Sequence, residues 1–329
     1  MKYIFFLLLV STGISAQAQG TIPESFFDGK SVVMISTDPG ARPVMDWKVL
    51  ADSVHQSLVQ AGGDPIAYFE LEQISLSEEV QADFATSFEQ RGVKNIVLVT
   101  RQKSATSIHV GSFSRDGKIL STTALFGVSG GTWKEASEQF SNLGANVRTK
   151  NLLVIDVPEF PTQTTQANPT ASQASQRFFA RNPLNLEVFK LGIPLEGTSA
   201  QTGALSYFRY NMYGKSQETI LAEQEAQKSQ IQRILETEYP NEVAWLTEAK
   251  SNQELIRDRV QFLLVKVEGR ESDLKRSMGL ETDPANETQT VVKYYIKLLV
   301  RDELYIGPEW DADSDWRIAL RNFLRNLKK

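Results

Sequence analysis

Three short apolar runs constrain this chain more than any other feature: SVVMIST (31–37), PIAYFEL (65–71) and KNIVLVT (94–100). Each is β-branched or aromatic and bounded by turn residues, so each reads as a buried strand. Between them lie two stretches of helical periodicity. The first runs from Trp47 through Leu50, Ala51, Val54 and Leu58 to a Gly62-Gly63 stop. The second opens on a capping pattern at Ser75 or Ser77 with Glu78 and ends at Gly92. Strand, helix, strand, helix, strand at this spacing predicts parallel strands joined by right-handed crossovers. The rhythm then changes. Residues 107–127 alternate around Asp116-Gly117, a hairpin signal, and a helix and the run NLLVIDV (151–157), read as a last strand, follow.

Residues 158–184 are rich in Pro, Thr, Gln, Ala and Ser and poor in large apolar side chains, a composition that suits a linker. Beyond it the order partly recurs. A strand over 186–195 precedes a long helix (216–239), a strand (241–247), a short helix (251–260) and an apolar strand (261–267). After an insert at 270–289 come a hairpin turning at 301–303 and a terminal helix. The two halves share one phrase at the same place, the helix after the hairpin. Trp133, Ala136 and Phe140 correspond to Trp316, Ala319 and Phe323. Spacings of three and four put all three on one helix face, so packing on a sheet is expected of them.

The predicted fold class is therefore α/β (α+β), with two related mixed-sheet domains at 19–157 and 185–329. The element order resembles the amino-terminal α/β domain of the Tol-system periplasmic protein TolB and CsgG-like envelope domains. It does so well over 30–157 and loosely over 185–327. The resemblance is to proteins of envelope assembly and interaction, and it implies a non-enzymatic role. No family motif matches residue by residue, so it transfers no site.

Residues 1–18 have the parts of a secretory signal: Lys2, an apolar run from Tyr3 to Val10, and Ala16-Gln17-Ala18 for cleavage. Export is thus expected, to the periplasm or outside the cell. The chain has no cysteine, which excludes disulfides, a cysteine nucleophile and lipoprotein acylation. The hydrophobic fraction of 41% must supply the cores unaided. A formal charge of −5 argues against a nucleic-acid surface, and contact with membrane is expected to be peripheral at most, through the basic end of the last helix.

Catalytic signals are absent from the sequence. The two histidines, His55 and His109, stand apart, and no Gly-x-Ser-x-Gly elbow or phosphate-binding glycine motif occurs. No cofactor is expected. Two weaker candidates remain. The 37–46 loop sits between a strand and a helix, where α/β sheets bind ligands, and offers Asp38, Arg42 and Asp46. Asp311, Asp313 and Asp315 alternate like calcium ligands, although Trp316 stands where a calcium loop has glycine. The favoured function is a non-catalytic interaction or envelope-assembly module with a protein partner or self-association, through the long helix and the 270–289 insert. The alternative is a small-ligand-binding protein or hydrolase using the 37–46 loop.

Overall fold

The computed structural model describes residues 21–120, 125–144, 147–161, 178–179, 184–195, 203–210, 213–247, 250–283, 288–301 and 303–328. Residues 1–18, where a secretory signal is expected, and most of the 158–184 stretch lie outside them. The first half forms β1 (Lys30–Thr37), α1 (Trp47–Gln60), β2 (Asp64–Glu70), the short α2 (Leu71–Ile74), α3 (Glu78–Gln90), β3 (Val93–Arg101), β4 (Thr106–Ser112), β5 (Phe126–Gly130) and α4 (Trp133–Gly144). Its sheet has the order β2-β1-β3-β4-β5. The first three strands are parallel and the last two antiparallel.

The second half forms β6 (Phe178–Phe179), β7 (Lys190–Pro194), α5 (Gly203–Tyr207), α6 (Gln217–Glu238), β8 (Val243–Leu246), α7 (Asn252–Arg257), β9 (Val260–Arg270), α8 (Glu271–Ser277), β10 (Thr290–Leu298), β11 (Glu303–Tyr305) and α9 (Trp316–Asn326). Its sheet has the order β8-β7-β9-β10-β11-β6. Strands β8, β7 and β9 are parallel, β10 is antiparallel to β9 and β11, and β6 runs parallel to β11. Five strands thus repeat the order and directions of the first sheet, and β6 adds a sixth at the edge. Even an irregularity is repeated. The β1–β3 register skips a residue after Lys30, and the β7–β9 register skips one after Lys190. The two halves are two copies of one α/β unit.

Helices α1 and α3 start where the sequence placed them. Asp46 caps α1 by accepting from the Lys48 amide, and Ser77, rather than Ser75, caps α3 through the Val80 amide. Alternation along the strands sends Val33, Ile35, Val97, Val99, Ile108 and Val110 to one face, against Leu50, Val54 and Leu58 of α1 and Ala136 and Phe140 of α4. The opposite face, with Val32, Met34, Ile96 and Leu98, packs on Phe84 and Phe88 of α3. In the second sheet Phe262, Leu264, Tyr294 and Ile296 meet Ile231, Ile234 and Leu235 of α6 and Leu320 and Phe323 of α9.

Three expectations need correction. NLLVIDV forms no strand. Thr149 and Asn151 bond to Phe26, Phe27 and Gly62 backbone atoms, and His55 holds the Ile155 carbonyl, so side-chain anchors set an irregular path there. Leu152 and Leu153 are left 85% and 95% exposed. Second, Phe140 and Phe323 are fully buried but Trp133 and Trp316 pack only at the core's rim. Each Trp is the first residue of its helix, where the chain lifts off the sheet. Third, Leu71 begins α2 rather than ending the second strand, and the two halves share a seam. The stretch around α5 crosses to the first domain, where Leu205 and Phe208 bury against its sheet. In return Leu76 of the first domain inserts among Val267, Leu274, Met278 and Tyr295 of the second. Each sheet is finished by the other half. No described helix is long and apolar enough to cross a membrane.

Candidate functional site

The chain runs from β1 to β2 on one side and then to β3 on the other, so the carboxyl ends of β1 and β3 mark the first sheet's switch point, where such sheets bind ligands. Buried polar groups are nearly always bonded, and the exceptions need a reason. Among the described residues four side chains with a buried atom lacking a hydrogen-bond partner lie at this edge, Thr37 and Arg101 on one face of the sheet and Glu72 and Arg209 on the other. That clustering makes the edge the candidate site.

On the α1 side, Thr37 and Arg101 are register partners on adjacent strands. They continue the row of Ile35 and Val99, so they share the face that packs on α1. Arg101 is 6% exposed. Its Nη2 donates to the Pro43 carbonyl at 2.5 Å, which tucks the guanidinium under the 38–46 loop. The Asp38 amide closes the loop's start on the Arg101 carbonyl at 2.8 Å. Nη1 and the Thr37 hydroxyl have no partner, and no described carboxylate pairs with Arg101.

On the α3 side, Ser36 donates to Glu72 Oε1 at 2.5 Å and accepts from the Tyr210 amide at 2.9 Å. Glu72 Oε2 and Arg209 Nε are unbonded. Burial raises the Glu72 carboxyl above the usual range, against the opposing pull of Ser36 and Arg209, and Glu70 adds to the rise. Burial also raises the Tyr210 phenol, helped by Glu72 and, further down, Glu268 and Asp38. At the seam, Arg270 bridges Glu70 of the first domain, at 2.6 Å, and Asp273 of the second, at 2.7 Å.

The sequence-derived candidates fall in several places. Asp38 accepts from the Gly40 amide as a turn residue, Asp46 caps α1, and the exposed Arg42 bonds to the Pro39 and Ala41 carbonyls. All three belong to the loop that covers Arg101. The three later aspartates are directed to different partners. Asp311 is buried on Lys293 Nζ at 2.5 Å and Asn326 Nδ2 at 3.0 Å. Asp313 accepts from the Asp315 amide, and Asp315 caps α9. No group of three acidic or histidine side chains among the described residues is placed to hold a metal ion. His55 joins the Tyr68 hydroxyl to the Ile155 carbonyl, and His109 lies 3.4 Å from the Tyr213 hydroxyl with Phe208 beside it.

Sequence reasoning found the 37–46 loop but missed Arg101, Glu72 and Arg209. Arg101 ends an apolar strand, KNIVLVTR, and a charge at a strand terminus normally reaches water. The one available signal was its place at the switch point. No protein-family model, curated protein or solved structure matches the chain.

Proposed function

We propose that the protein is an exported, non-catalytic module that works in the cell envelope by binding partner proteins. The observation that carries this reading is the ribbon of residues 152–157. Leu152 and Leu153 are nearly fully exposed, Val157 is 63% exposed and Ile155 is 47% exposed. Exposed apolar clusters of this kind mark interaction surfaces. The ribbon is also held in shape, by His55 on the Ile155 carbonyl and by the Tyr68 amide of edge strand β2 on the Glu159 carbonyl. A preorganised apolar surface loses little conformational entropy on binding.

In-cell crosslinking of wild type and a Leu152→Glu/Leu153→Glu variant tests it. The variant is expected to keep its circular dichroism spectrum and lose the crosslinked adducts. Unchanged adducts refute the reading. Amino-terminal sequencing of the mature chain, expected to begin after Ala18, tests export.

A second reading, a small-ligand site at the carboxyl edge of the first sheet, is favoured by the four unbonded polar groups there.

A further inference from the structure

We propose that the switch-point edge of the first sheet binds a carboxylate group, held by Arg101 Nη1 and Thr37 Oγ1 beneath the 38–46 loop. This rests on the small-ligand reading of that edge. Four observations converge on it.

The first is charge. A guanidinium does not deprotonate in proteins, so Arg101 cannot escape burial by neutralising itself, as a lysine or a carboxyl can. A buried charge is ordinarily paired. Elsewhere this chain obeys that rule: the buried Lys293 has Asp311, and the half-buried Arg270 has Glu70 and Asp273. Among the described residues Arg101 is bonded through its side chain to one backbone carbonyl, that of Pro43.

The second is the pair of donors. Thr37 and Arg101 lie side by side in register, on one face, each with an unbonded buried atom. A hydroxyl and a guanidinium N–H on neighbouring strands are the two donors that the two oxygens of a carboxylate require.

The third is the surroundings. Lys103 lies over Gly40, and Arg42 stands on the same loop. Asp38 and Asp46 flank them. Three cations against two carboxylates leave one positive charge, which suits a monoanion better than a phosphate dianion.

The fourth is the comparison between the two copies. By strand register Arg101 corresponds to Glu268, whose partner is Lys266 at 3.8 Å. The cation belongs to the first copy alone. Packing common to the unit does not call for it.

The experiment uses the mature full chain with ¹⁵N-labelled arginine side chains. Sodium acetate, sodium phosphate and sodium chloride are titrated at constant ionic strength, following the Arg101 Nε resonance and the thermal midpoint. Acetate is expected to shift the resonance saturably, at about 1 mM as befits so small a ligand, and to raise the midpoint. Chloride is expected to do neither. Arg101→Met should abolish the acetate response, and Thr37→Val, which keeps the shape, should weaken it by about tenfold, the worth of one hydrogen bond to a charged group. A phosphate response equal to that of acetate overturns the carboxylate assignment and leaves the ligand reading standing. No saturable response to either anion, with Arg101→Met as stable as wild type, overturns both. Should Arg101→Met fail to fold, an unchanged acetate affinity in Thr37→Val overturns the proposed pair of donors.

Discussion

The rings of Tyr305 and Phe323 stand 6.3 Å apart at 54°. Phe126 and Phe140 repeat the arrangement at 6.1 Å and 59°. In each copy the first ring comes from the outer strand of the hairpin and the second from the helix that follows. Register extends the correspondence. Thr106 pairs with Gly130 and Val292 with Asp313, each three residues before the helical tryptophan. Phe126 and Gly130 are four positions apart, however, while Tyr305 and Asp313 are eight. The second copy has a longer loop here, and that loop carries Trp310 and Asp311. Where the first copy pairs the Ser107 and Ser129 hydroxyls at 2.7 Å, the second sets Lys293 against Asp311.

Replacing either buried ring tests the equivalence. Phe140→Ala and Phe323→Ala should each cost about 3–5 kcal/mol of stability, measured by urea unfolding. Trp133→Ala and Trp316→Ala should cost less, because both indoles sit at the rim.

The Lys293–Asp311 pair should prove costly to halve and cheap to replace. Lys293 and Asp311 are 1% and 7% exposed. Asp311→Ala strands a buried ammonium and should lose about 3–5 kcal/mol. Lys293→Met combined with Asp311→Leu should recover most of that loss. A double-mutant cycle in urea gives the answer.

His109 should make the protein acid-sensitive. Burial lowers its imidazole from 6.5 to about 4. Between those values the unfolded chain binds a proton that the folded one does not, so stability is fully present above pH 6.5 and is lost as pH falls to about 4. The ceiling is about 3 kcal/mol, at 1.36 kcal/mol for each pH unit. His109→Gln should flatten that part of the stability–pH curve, read by urea unfolding at a series of pH values.

The seam between the halves should make unfolding a single event. Leu76→Ala, at a site 7% exposed, should cost about 2–4 kcal/mol and lower the stability of the second half along with the first. Hydrogen exchange at amides of β3 and β9 measures both; protection lost in one half alone argues against the shared seam.

Much of this fold was legible because each copy's strands and helices announce themselves locally. Ser77, Asp46, Ser216 and Ser251 cap the helices they precede, and Gly92 follows the end of the helix that Ser77 begins. The duplicated stripe placed α4 and α9 on their sheets. What escaped were long-range relations. The apolar residues of NLLVIDV look like a strand, but distant anchors, Phe26, Gly62 and His55, hold their backbone elsewhere. The long helix α6 was visible from its sequence, yet its buried aliphatic residues among the described side chains fall in the C-terminal half, while Leu221 is 54% exposed. The site was harder still. Thr37 opens the 37–46 loop but Arg101 closes an apolar strand far along the chain, and only their pairing across β1 and β3 makes them neighbours.

The exchange of coverings also sets an order in time. Translation delivers β1 to β5 and their helices well before Leu205 and Phe208 exist to close the open face. Until then the apolar cluster on the α3 side of the sheet lacks two of its buried members, the kind of incomplete surface on which unfinished chains aggregate. The first copy is made early but finished late, and its last lid arrives with the chain that also builds its twin.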